Sequence, residues 1–114
     1  MSRRVDKPWG HELVWAQTDR YVGKLLRIRA GEALSLQYHR VKDETIMLLG
    51  GRLELTTYAE GEEPRVRELA ALQPVHLVPG MRHRMVAIED AELVEVSTPE
   101  LDDVVRLEDR YGRV

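Results

Sequence analysis

The chain has 114 residues, 43% hydrophobic and 32% charged, with a net charge of −3, so it is sized for one domain with its own core and lacks the basic excess of a nucleic-acid binder. It contains no cysteine, which excludes disulfides and thiolate metal sites, and no apolar run near the ~18 residues of a membrane helix. The N-terminal MSRRVDKPWG has no signal-peptide core, so a cytoplasmic protein with neither nucleic-acid nor membrane partners is expected.

Residues 1–10 are basic and turn at Lys7-Pro8-Trp9-Gly10. Strand candidates follow at 12–16 (ELVWA) and 21–29 (YVGKLLRIR), with polar turns at 17–20 and 30–32. Gly31 to Gly51 reads as strand, tight turn at 40–43, strand. Further strands are expected at 52–58, 65–70, 75–78, 84–88 and 93–97, with a polar hairpin loop at 59–64 and a turn at 89–92. Composition around 68–72 permits a short helix, cut off too soon to propagate. The charged tail, 98–114, is expected to hold one helical turn and to pack over the rest. Strands recurring about every 8–12 residues between turn signals predict an all-β sandwich or barrel.

The stretch from 31 to 51 carries the chemistry. Side chains alternate along a strand, so Ser35, Gln37 and His39 share one side and Leu34, Leu36 and Tyr38 the other. If the strands before and after the 40–43 turn pair as a hairpin, Gln37, His39 and Glu44 point into one cavity. An amide oxygen, an imidazole and a carboxylate suit a hard or borderline divalent metal. His83, after the Pro79-Gly80 turn, is a fourth ligand candidate.

These residues also carry a resemblance. Gly31-x5-Gln37-x-His39-x4-Glu44-x6-Gly51 resembles the first cupin motif, and Pro79-Gly80-x-x-His83 the core of the second. Gln37 replaces that family's usual first histidine, and Ala87 the asparagine that often closes the second motif. Lys7-Pro8-Trp9-Gly10, Leu34-Ser35-Leu36-Gln37-x-His39 with Glu44, and the closing stretch from Asp102 to Arg113 resemble the type II mannose-6-phosphate isomerase domain. That domain is commonly fused behind a mannose-1-phosphate guanylyltransferase. The turn Arg40-Val41-Lys42 and the pair Thr45-Ile46 depart from its pattern and bear on sugar specificity.

The resemblance implies a cupin jelly-roll, or double-stranded β-helix barrel, over 1–114, with the tail over its mouth. It implies a divalent metal (Zn, Mn, Co, Ni or Mg) held by Gln37, His39, Glu44 and His83. The implied activity is aldose–ketose isomerisation of a sugar phosphate, mannose 6-phosphate to fructose 6-phosphate, in polysaccharide biosynthesis and carbohydrate metabolism. Lys24, which matches a lysine of the family, is the candidate base, with His11 and His76 as alternatives. Arg113 is a candidate clamp on phosphate or developing charge. Trp9 packs under the mouth and is a candidate sugar contact, as is His76, which on its apolar strand also reads as a core histidine. Leu36, Tyr38 and Met47 are expected to face away from the ligands and to pack on a second copy, giving a homodimer. Two rivals remain: a non-catalytic sugar- or metal-binding cupin working beside a partner enzyme, and an iron-dependent cupin oxygenase, to which Gln37 is less suited.

Overall fold

The computed structural model describes residues 2–114 and contains, among them, eleven strands and no helix. These are β1 (Arg3–Lys7), β2 (Gly10–Gln17), β3 (Val22–Ile28), β4 (Leu36–Tyr38), β5 (Glu44–Gly50), β6 (Leu53–Tyr58), β7 (Arg65–Glu68), β8 (Pro74–Leu77), β9 (Arg82–Ala87), β10 (Ala91–Ser97) and β11 (Val105–Glu108). They form a six-stranded sheet in the order β1-β2-β3-β10-β5-β8 and a five-stranded sheet in the order β11-β4-β9-β6-β7. All pairings are antiparallel, and the two inner faces enclose the core as in a jelly-roll.

Strand parity decides what lies inside. On β3, Val22, Lys24, Leu26 and Ile28 are buried, while Arg27 between the last two is exposed. On β10, Ala91, Leu93, Glu95 and Ser97 are buried by the same alternation. Leu26, Ile28, Ile46, Leu48, Leu53, Leu55, Leu77 and Leu93 fill the core, so branched aliphatics do the packing in a chain without phenylalanine. Hydrocarbon occupies one end of the barrel, and ionisable side chains lie on the same inward parity at the other. Gly10 opens β2 at a close corner: its φ is +155°, and a Cβ there would sit 1.9 Å from the Arg27 carbonyl oxygen.

The structure adds one strand, corrects two local expectations and decides a third that composition left open. Residues 3–7 are a strand, because β1 finds an edge to pair with on β2. The 31–51 stretch is no hairpin: β4 pairs with β9 and β11, whereas β5 pairs with β10 and β8 in the opposite sheet. The chain at 39–43 therefore crosses between sheets. No helix forms at 68–72; β7 ends at Glu68 and the chain turns, with Leu72 at φ 63° donating its N–H to the Leu48 carbonyl at 2.8 Å. The tail carries a strand, β11, in place of a helical turn, because β4 offers it a free edge.

Candidate metal centre

Glu44 stands at the start of β5 in one sheet, and His83 near the start of β9 in the other. Gln37 on β4 is the direct cross-strand partner of His83, so both project to the same face. His39 follows β4 as the chain leaves that sheet. Because that crossing carries the chain over the barrel mouth, ligands on both sheets meet across the interior. One ligand atom each from His39, Glu44 and His83, all buried, lie within 4.8 Å of one another.

Each imidazole is held through its far nitrogen. His39 Nδ1 donates to the Asp103 carbonyl at 2.5 Å, and His83 Nδ1 to the Met81 carbonyl at 3.0 Å. In the neutral imidazole that a metal ligand must be, each Nε2 is then an acceptor; in the metal-free site burial lowers the His39 pKa, but the adjacent Glu44 carboxylate outweighs this and raises it. The two Nε2 atoms lie 3.3 Å and 3.5 Å from Glu44 Oε1, yet both are buried without any hydrogen-bond partner. Buried polar atoms are normally satisfied, and two orphaned lone pairs aimed at one carboxylate oxygen, each backed by a carbonyl, fit a divalent metal ion. Burial holds the His83 imidazole below its ordinary pKa, so it is neutral, as a ligand must be. Burial alone would raise Glu44, but His39, Lys42 and His83 outweigh it and hold the carboxyl at about 2. The Gln37 carbonyl accepts the Ser35 hydroxyl at 2.6 Å, which leaves its second lone pair free.

The centre opens into a cavity of about 310 Å³ whose lining includes Trp9, Lys24, Gln37, His39, Glu44 and Arg113. Trp9 is only 2% exposed and belongs to the core cluster as well. Lys24 is buried, with Nζ 3.3 Å from Glu12 Oε1. Arg113 is locked onto Asp109 by two side-chain bonds of 2.9 Å. His76 is not brought here. It is neither a core histidine nor a cavity residue: it is exposed and bonds Asp43 at 2.6 Å, because on β8 its parity is opposite to that of buried Val75 and Leu77. His11 lines a separate hollow with Arg27 and Glu92. Leu36 and Tyr38 lie on the five-stranded sheet and Met47 on the other, so they do not form the single outer face expected.

Sequence reasoning missed Lys42, Glu95, Glu12 and Arg106, which also line the cavity. Lys42 falls in the expected 40–43 turn, yet its Nζ lies 3.1 Å from both Glu44 Oε2 and Glu95 Oε2. Glu95 had a readable signal, since it shares parity with Leu93 in an apolar strand. Burial, then the nearby Glu44 carboxylate, raise the Glu95 carboxyl above its usual range.

The family model described as mannose-6-phosphate isomerase C-terminal matches residues 1–109. Mannose-1-phosphate guanylyltransferase ManC of Salmonella typhimurium is 32% identical over 100% of this chain and 24% of its own length. The xanthan biosynthesis protein XanB of Xanthomonas campestris pv. campestris is 34% identical over 97% of this chain and 24% of its own. The chain thus spans about a quarter of the length of these relatives. Among solved structures, oxalate decarboxylase from Bacillus subtilis superposes with a TM-score of 0.82 at 15% identity, over 99% of this chain and 32% of that one. The capsular polysaccharide assembling protein CapF from Staphylococcus aureus gives 0.77 at 17% identity, over 96% and 35%. Those two likenesses establish the barrel, and the match over nearly the whole sequence establishes the lineage: this chain has the cupin jelly-roll fold and belongs to the mannose-6-phosphate isomerase C-terminal family.

Proposed function

We propose that the chain is a metal-dependent aldose–ketose isomerase acting on a sugar phosphate, with mannose 6-phosphate and fructose 6-phosphate as the expected pair. The observation that carries this reading is the pair of orphaned, carbonyl-backed imidazole nitrogens facing Glu44 at the base of a polar cavity. Gln37, His39, Glu44 and His83 would hold the ion, which supplies Lewis-acid polarisation of the sugar carbonyl. The remaining chemistry is a proton moved between two adjacent carbons. Lys24, buried at the cavity with Glu12 Oε1 3.3 Å from its Nζ, is the group assigned to move it. Arg113 stands at the cavity with Nη1 free of its Asp109 pairing, suited to steady negative charge growing on substrate oxygen. Trp9 gives the sugar an apolar wall.

Turnover is tested by incubating metal-loaded protein with aldose phosphates and following ketose formation. Chelation should abolish it and a divalent cation restore it; turnover that resists chelation removes the metal from the reaction. Metal titration of His83→Ala should show binding lost, and full occupancy in that variant refutes the ligand set. A second reading, a sugar-binding module without turnover, is favoured by the guanylyltransferase names of relatives of which this chain spans 24%. Saturable sugar-phosphate binding without ketose formation would support it. We further propose a cytoplasmic homodimer formed through the outer face of the six-stranded sheet. There Trp15, Leu49 and Val96 are exposed, and Leu13, Leu25, Val94 and Met47 are successive cross-strand partners. Light scattering on wild-type protein and a Val96→Glu variant reads this directly.

A further inference from the structure

Five cationic side chains line the cavity: Lys7, Lys24, Lys42, Arg106 and Arg113. Three are already matched by carboxylates. Lys24 is paired with Glu12, Lys42 with Glu44 and Glu95, and Arg113 with Asp109. Among the described residues, Lys7 and Arg106 enter no ion pair. Arg106 Nε is buried with no hydrogen-bond partner. Asp102 is the one lining carboxylate left unpaired, and it is exposed to solvent.

Both cations line the cavity onto which the candidate metal centre opens. Arg106 on β11 is the cross-strand partner of Gln37, so it projects to the same face as that ligand candidate. Lys7 ends β1, directly opposite Gly10 at the corner beside Trp9. Burial lowers the Lys7 pKa; Glu12 opposes that, and the charges of Lys24, Arg106 and Arg113 lower it further. Lys7 therefore stands half-buried in the field of Arg106, with Glu12 the nearest compensating charge and no carboxylate at ion-pair distance among the described residues.

We propose that Lys7 and Arg106 form an anion subsite that takes the phosphate of a sugar phosphate whose carbonyl end lies against His39, Glu44 and His83. This rests on the isomerase reading for the carbonyl end only. Two positive charges without a direct ion pair in a partly desolvated cavity lose solvation that they recover only in part, unless the ligand brings negative charge. A phosphate supplies that charge together with acceptors for the guanidinium fork. A neutral sugar leaves both cations and Arg106 Nε unmatched, so the cavity selects phosphorylated over free sugars.

The test is calorimetric titration of inorganic phosphate into metal-loaded wild-type protein, Lys7→Gln, Arg106→Gln and Arg106→Lys at low salt, alongside metal affinity and melting curves for each. Phosphate should bind saturably to wild type and at least about tenfold more weakly to each Gln variant, the loss of one charge-assisted contact. Arg106→Lys should recover part of the loss, and metal affinity should not change. Absence of saturable phosphate binding, or equal affinity in wild type and both Gln variants, overturns the subsite. In the turnover assay, unchanged KM for mannose 6-phosphate in both Gln variants overturns it while leaving the isomerase standing. Phosphate binding that depends on the pair, in a protein that turns nothing over, upholds the subsite and removes the isomerase.

Discussion

Replacing Lys42 by methionine removes a buried cation and keeps most of its aliphatic stem. Lys42 Nζ sits 3.1 Å from Glu44 Oε2 and 3.1 Å from Glu95 Oε2, with the three side chains only 6%, 3% and 7% exposed. Without the ammonium, two carboxylates face each other in a cavity wall with no counter-charge between them. Removing one partner of a buried ion pair costs about 3–5 kcal/mol. In a domain of this size each kcal/mol is worth roughly 4 °C of melting temperature, so the metal-free variant should melt about 12–20 °C below wild type at neutral pH. Adding Glu95→Gln to Lys42→Met discharges one carboxylate and should recover at least about 1 kcal/mol, a coupling expected of residues in direct contact. Circular-dichroism melts in the presence of chelator, on wild type, both single variants and the double variant, measure both effects. A Lys42→Met protein melting within about 4 °C of wild type, or a double variant no more stable than that single one, refutes the account of Lys42 as the buried counter-ion.

Asp103 accepts the backbone N–H groups of Arg40, Val41 and Lys42, and those three bonds hold its carboxyl at about 2, below its ordinary 3.8. A depressed carboxylate contributes stability above its unfolded pKa and loses it as pH falls through the folded one, so this contribution should disappear between pH 3.8 and about 2. Carbon-detected NMR titration reads the value directly, and a midpoint at or above 3.8 contradicts the bonding. Gly10→Ala should destabilise by at least about 1–3 kcal/mol, because its Cβ would lie 1.9 Å from a backbone oxygen; an unchanged urea midpoint refutes this. Tyr111→Phe removes the hydroxyl that donates to Glu32 and accepts from the Ala33 N–H at 3.2 Å. The expected loss is about 1 kcal/mol, with faster amide exchange at Ala33 as its local mark; unchanged exchange there would show that the tail does not latch the barrel through this hydroxyl.

Residue types and their parity were legible without coordinates. Gln37, His39, Glu44 and His83 stood out because ligand-type side chains recurred at fixed spacing in alternating strands, and the strand rhythm gave the all-β class. The hairpin inference failed because periodicity reports which face a side chain takes, not which strand is its neighbour. His76 failed for a related reason: an apolar strand does not tell which of its two faces is covered until the sheet is assembled. Lys42 was hidden because a lysine between Val41 and Asp43 resembles any solvated turn. Only the crossing between sheets, pinned by Asp103 some sixty residues later, carries it inside.

From the order of its residues alone, this chain settled local matters: where strands run, where glycine corners them, and which side chains share a face. Those depend on backbone sterics and alternation, which act over a few residues. Which strands meet was decided only in three dimensions, and with it the convergence of His39, Glu44 and His83, the burial of Lys42 between two carboxylates, and the two cations left unpaired at the cavity. Such features arise from non-local pairing and from the loss of water around charges, and neither is encoded in any short window of sequence.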